Sequence, residues 1–186
     1  MQNPFLDLIQ SRRSHRKYKP QQLSEAELSA IMDAALASPS ANNHQPWHYS
    51  VVQDSALLDR LHQEGARATL AREAGSRSPR YDDPDFQVFY HAPTVIFLSA
   101  PGDNSYATID CGIAVYGIAL AAESLGLGSV ILGLPRDGLS GPAKEALERA
   151  LHFPPGHQFV IAIALGHPDD DKEPHDRHPE KISIIR

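Results

Sequence analysis

Two stretches of this chain carry side chains able to hold a ligand. Ser11-Arg12-Arg13-Ser14-His15-Arg16-Lys17 is the most basic segment of a protein whose formal net charge is −6. Guanidinium forks bind phosphate or carboxylate through two parallel hydrogen bonds, and the hydroxyl of Ser14 adds a donor between them. Two readings stand for the cluster: an anion clamp, or a solvated helix end with its cations near the C-terminal dipole. The second stretch is Ser38-Pro39-Ser40-Ala41-Asn42-Asn43-His44-Gln45-Pro46-Trp47. Short amide side chains and free backbone N–H groups in such a loop suit a planar ligand with a polar edge.

Weaker candidates lie elsewhere. Gly133-Leu134-Pro135 turns the chain after an apolar run, and a glycine there lets a ligand approach the backbone, although a plain turn explains it nearly as well. His167, Asp169, Asp170, Asp171, Glu173, His175, Asp176 and His178 have the donor types of a divalent-metal site. A solvated acidic tail is the preferred reading, because no periodic element holds these ligands in fixed geometry. We therefore assign no metal and keep a metal-dependent enzyme as the lesser alternative. No G-x-G-x-x-G, Walker loop, G-x-S-x-G or H-E-x-x-H motif is present.

Composition narrows the class. A length of 186 residues predicts a single domain, 1–186, with a C-terminal arm from about residue 167. The acidic balance disfavours nucleic acid and anionic membrane, so any anion site must be local. One cysteine, Cys111, excludes an intramolecular disulfide and a multi-thiolate cluster within the chain. Residues 1–10 lack the pattern of a signal peptide, and the apolar run Cys111–Ala122, broken by Gly112 and Gly117, falls short of a membrane span. A cytoplasmic protein is expected.

The elements that must position these residues are well marked. Asn3 and Pro4 open a first helix that delivers the basic segment. A capping box, Ser24-Glu25-Ala26-Glu27, opens a second whose apolar residues are Leu28, Ile31, Met32, Ala35 and Leu36. Pro39 ends that element, and an apolar run at 48–52 predicts a strand. Residues 55–74 read as a helix capped by Ser55, and 75–86 as a polar, mobile excursion. Strands are predicted over 93–98, 129–132 and 159–165, and a short final one at Ile182–Ile185. A helix over about 105–125 is apolar nearly all round, with Asp110 and Glu123 its only charges. A core helix or one at a subunit interface would fit, and the interface is favoured.

In this order, the blocks resemble the FMN-dependent nitroreductase family. The resemblance rests on Arg12-Arg13-Ser14-His15-Arg16, on Pro39 to Trp47, on Asp110-Cys111-Gly112-Ile113-Ala114 continuing to Ser124-Leu125-Gly126-Leu127-Gly128, and on Leu165-Gly166-His167-Pro168. It implies an α+β fold, a central mixed or antiparallel sheet flanked by helices, in an intertwined homodimer with flavin sites at the subunit interface. It further implies that Arg12, Ser14, Arg16 and Arg177 hold the FMN phosphate, with Arg13 reaching the phosphate or the ring edge. His175 stands near that arginine, where a lysine would strengthen a phosphate site. Pro39, Ser40, Ala41, Asn43 and Gln45 would line the isoalloxazine or ribityl chain, serving mainly the other subunit's flavin. Leu132 and Gly133 would pack against the ring, with the Gly133 N–H near N5. Tyr81, Phe86, Phe89 and Tyr90 could cover a substrate. The implied activity is ping-pong transfer of two electrons from NADH or NADPH to nitroaromatic, quinone or related small acceptors, with no side-chain acid, base or nucleophile required. A flavin-binding relative without nicotinamide turnover is the nearer alternative. The terminal strand would add to the partner's sheet.

Overall fold

The computed structural model describes residues 3–186. Along the chain come α1 (Pro4–Ser11), α2 (Glu25–Leu36), β1 (His48–Val52), α3 (Ser55–Leu70), β2 (Thr94–Pro101), α4 (Ala107–Ser124), β3 (Gly128–Leu132), α5 (Lys144–Ala150) and β4 (His157–Gly166). The strands form one antiparallel sheet in the order β1-β2-β4-β3. The expected α+β architecture is thus present.

Strand alternation divides the core in two. Ile96, Leu98 and Ala100 of β2, with Ile163 and Leu165 of β4, face α2 and α4. Val95 and Phe97, with Ala162 and Ala164, face the layer that supplies Leu58 and Leu61 of α3, Leu147 of α5 and Val88 and Phe89. Successive side chains point to opposite faces, so both central strands are buried on both sides, which explains their unbroken apolar runs.

The helix ends form as their residues dictate. Asn3 accepts from the backbone N–H groups of Phe5 and Leu6, and Ser24 and Glu27 complete a reciprocal capping box. Asp54, and not Ser55, caps α3, accepting from Ala56 and Leu57. Both residue types cap helices, and the carboxylate one position earlier takes the two orphan donors. Gly126, at φ +72°, supplies the left-handed turn between α4 and β3.

Several expectations are revised. Leu36 is exposed on α2. The 75–90 excursion is built from short 3-10 turns, and Tyr81, Val88 and Phe89 are buried. Phe89 packs edge-to-face on Phe97 and so belongs to the core, away from any substrate cover. Among the described residues Ile182–Ile185 pairs with no strand, and Ile185 is 95 % exposed, so any pairing of this segment must come from a second chain. By length and composition α4 does match a membrane-crossing helix. Its apolar surface is instead used against α2 and strands β2, β3 and β4. Ile109, Ile113 and Tyr116 are left exposed on it.

Candidate functional site

The first helix delivers the basic segment to the edge of the sheet. Ser14 forms an isolated parallel bridge with Ser129, and the His15 N–H donates to the Ser129 carbonyl at 3.0 Å. Leu132 and Gly133 lie three and four residues further along, roughly 10–13 Å at the rise of a strand. The chain leaving β4 then folds back beside the same segment. Asp169 N–H donates to the Lys17 carbonyl and Lys19 N–H to the His167 carbonyl, each at 2.9 Å.

That return brings Arg177 beside residues more than 160 positions earlier in the chain. Its guanidinium donates to Gln10 Oε1 at 3.2 Å. A cleft of about 340 Å³ opens there, walled by Ile9, Gln10, Arg12, Arg13, Tyr116, Pro174, His175 and Arg177. Among the described residues, three guanidinium groups and no carboxylate line it. Arg13 donates to the Gln10 and Arg12 carbonyls at 2.6 and 2.9 Å, while its Nε is buried without a partner.

What sets these arginines apart is that they are gathered, since Arg60, Arg80, Arg136 and Arg186 also lack an ion pair among the described residues. Arg67, Arg72, Arg77 and Arg149 each make an ion pair with a carboxylate. Among the described residues, Arg12, Arg13, Arg16 and Arg177 make none. In a chain of net charge −6, Arg12, Arg13 and Arg177, gathered in a cleft lined by no carboxylate among the described residues, are disposed to receive an anion.

The structure does not put every expected residue at this cleft. Arg16 lies with its guanidinium carbon 5.9 Å from the Tyr90 ring centroid, and its Nε too is buried without a partner. Gly133, at φ −93°, does not need to be glycine for its backbone conformation. A Cβ there would meet nothing within 4 Å, so its own chain leaves the space over it open.

The amide loop stands apart from the arginine cleft, none of whose walls it supplies. Asn42, Asn43 and Gln45 have φ of 50°, 54° and 45°. The left-handed region suits asparagine and costs glutamine more, so something must hold the loop. Ser40 Oγ accepts the Gln45 N–H at 2.9 Å, and Gln45 Nε2 donates to Asn43 Oδ1 at 3.0 Å. Asp110 of α4, 2 % exposed, accepts the Ala41 N–H on Oδ1 at 3.0 Å. Pro46 and Trp47 are buried beneath the loop, while Asn42, Asn43, His44 and Gln45 are exposed.

Other chemistries find little support. Among the described residues, no group of three His, Cys, Asp or Glu side chains comes together to hold a metal. Cys111 is free and buried; burial, then the nearby Asp110, pushes its thiol up to about 12, which leaves no thiolate near neutral pH.

The sequence profile of the nitroreductase family matches residues 9–167. The chain belongs to the nitroreductase family. Its nitroreductase fold is shared with a nitroreductase of Desulfitobacterium hafniense solved with FMN bound, at TM-score 0.94 and 34 % identity, with both chains covered in full. A provisionally named NADH dehydrogenase/NAD(P)H nitroreductase of Archaeoglobus fulgidus is 32 % identical over 90 % of this chain and 87 % of its own. The NADPH-flavin oxidoreductase of Vibrio harveyi is 28 % identical over 98 % of this chain and 73 % of its own.

Within this nitroreductase, residue-type reasoning missed Asp110, Tyr116 and Asp170. Asp110 did carry a signal, since a carboxylate in a helix whose only other charge is Glu123 is seldom buried without a task. Tyr116 carried none, and Asp170 stood out only as one of the tail's possible metal donors.

Proposed function

We propose that this chain is an FMN-dependent oxidoreductase that takes electrons from NADH or NADPH. It passes two of them to a nitroaromatic, quinone or related small acceptor, with donor and acceptor taking turns in one site. The observation that carries the reading is the cleft of unpaired arginines beside the edge of the sheet. The FMN-bound nitroreductase of the same fold supports the choice of anion.

On this reading Arg12, Ser14, Arg16 and Arg177 would hold the phosphate, and Arg13 the phosphate or the ring edge. Leu132 and Gly133 would flank the ring, with the Gly133 N–H as a donor to it. A fixed donor of that kind stabilises negative charge developing on a reduced ring. The open space over Gly133 and the orphaned Nε atoms of Arg13 and Arg16 fit a ligand with acceptor atoms along its length. Once bound, the flavin supplies the two-electron chemistry, and the protein binds, orients and shields it.

The loop residues Pro39, Ser40, Ala41, Asn43 and Gln45 would serve the flavin held mainly by a second copy of the chain. Their separation from the arginine cleft supports this, as do the exposed Ile109, Ile113 and Tyr116 on α4 and Ile182, Ile184 and Ile185 in the tail. Exposed apolar surface of that extent marks an interface. The unpaired Cys111 fits a reducing, cytoplasmic setting.

Titrating the apoprotein with FMN during size-exclusion analysis tests the assignment. The expected product is a yellow dimer with FMN equimolar to chain. A monomer that takes up no FMN overturns it.

A further inference from the structure

The segment bearing Ser14 and Arg16 is held from behind by one carboxylate. Asp170, whose side chain is 8 % exposed, receives the Arg16 backbone N–H on Oδ2 at 3.1 Å and meets His15 Nδ1 with Oδ1 at 2.7 Å. Lys172 Nζ lies 3.1 Å from Oδ2. Burial alone would raise this carboxyl. The hydrogen bonds from His15, the Arg16 N–H and Lys172, with the charge of Lys172, outweigh it and hold the group below the usual carboxylate range.

The attachment is two-sided. The His15 N–H is tied to Ser129 of β3, and Tyr18 Oη donates to the His15 carbonyl at 2.8 Å. The Tyr18–Pro168 bridge and the two rail bonds at Lys17 and Lys19 bring Asp170 into register. Gly128 is part of the same fit: a Cβ there would stand 3.0 Å from both His15 Cβ and Pro168 Cβ. In an extended segment alternate side chains share a face, so gripping His15 leaves Ser14 and Arg16 together on the other.

We propose that Asp170 is a positioning residue that sets Ser14-His15-Arg16 in the geometry receiving the phosphate end of FMN, acting through His15 and the Arg16 N–H. The inference rests on the flavin reading above and adds to it a residue from the far end of the chain. Asp170 touches no ligand itself. Its carboxylate is satisfied by three donors, so it orders a cationic segment without standing in the cleft to repel an anion.

The test compares FMN with riboflavin, which lacks the phosphate, by fluorescence-quenching titration of the apoprotein. Wild type binds FMN the more tightly. In Asp170→Asn the ratio of the two affinities falls about tenfold or more, the scale of losing a hydrogen bond to a charged group. His15→Asn, which keeps the Arg16 N–H contact, gives a smaller fall and reads the same effect if the first variant does not fold. A role confined to general stability would lower both affinities together and leave the ratio alone. A wild-type ratio in the variants that fold overturns the positioning role. Wild-type protein that binds neither ligand overturns the flavin reading instead, and wild-type protein that binds both equally overturns the positioning role by removing the phosphate contact it serves.

Discussion

The backbone N–H of Ala41 donates to Asp110 Oδ1 at 3.0 Å, joining residues 69 positions apart. This bond fixes a loop with three left-handed, non-glycine residues to the first turn of the longest helix. It pairs one oxygen of a carboxylate that is 2 % exposed, while Oδ2 is buried with no partner among the described residues. The loop's polar side chains are therefore held outward by the fold, before any ligand or partner arrives.

Removing that acceptor should be costly. Asp110→Ala leaves the Ala41 N–H part-buried and unpaired, at a cost of about 1–3 kcal/mol. Asp110→Asn keeps an acceptor oxygen and should lose less. Urea unfolding of both variants gives the comparison, and equal losses would mean that the bond does not anchor the loop.

A cleft arginine and a surface arginine should differ in how they hold flavin. Arg12→Ala removes a guanidinium from the cleft and should weaken FMN retention about tenfold or more, as expected for a charge-assisted contact. Arg67→Ala removes only an exposed pair with Glu64 on α3 and should leave retention unchanged. Dialysis followed by absorbance of the retained flavin measures both. Equal loss at the two positions would mean that the clamp is misassigned.

Gly112 distinguishes a solvent-facing α4 from an interface. Among the described residues of the single chain, a Cβ there meets nothing within 4 Å. On an isolated helix, Gly112→Leu would gain on the order of 1 kcal/mol of helix propensity. At a subunit contact the same side chain must displace the partner. Light scattering should show dimer dissociating to folded monomer, and an unchanged mass would remove α4 from the interface.

Acidification should loosen the end of the 75–90 excursion. The His62 ring accepts the Val88 N–H on Nδ1 at 3.3 Å, which needs the unprotonated nitrogen. Burial holds its pKa below 6.5, with Asp59 opposing and His91 reinforcing the shift. The unfolded chain therefore binds the proton more readily. The contribution is complete above the unfolded pKa and is lost as pH falls through it toward the folded value. Hydrogen exchange at Val88, corrected for intrinsic rates, should quicken between about pH 7.5 and about pH 5.5. In His62→Ala that pH dependence should vanish.

Local features were legible in the chain because their causes are local. The capping box at Ser24–Glu27, the Asn3 cap, the Gly126 turn and the unbroken apolar runs of β2 and β4 each follow from residues close together in the chain. Asp54 and Ser55 show the limit, since either could cap and only folded geometry chooses. The excursion looked mobile because it is polar, yet Tyr81, Val88 and Phe89 anchor it through contacts distant in sequence. Arg12, Arg13 and Arg177 were identifiable as residue types, but their meeting depends on a tail that folds back along residues 15–19. The Asp170–His15 contact has no periodic signature at all. Ile182–Ile185 has strand-forming residues, and a strand needs a neighbour that the single chain does not supply.

The most direct test of the central claim is anaerobic reduction of the FMN-loaded protein, followed by its visible absorbance. Addition of NADH or NADPH should bleach the yellow colour, and a nitroaromatic or quinone added afterwards should restore it. Flavin that stays oxidised with both nucleotides, in protein that has bound FMN, would contradict the account.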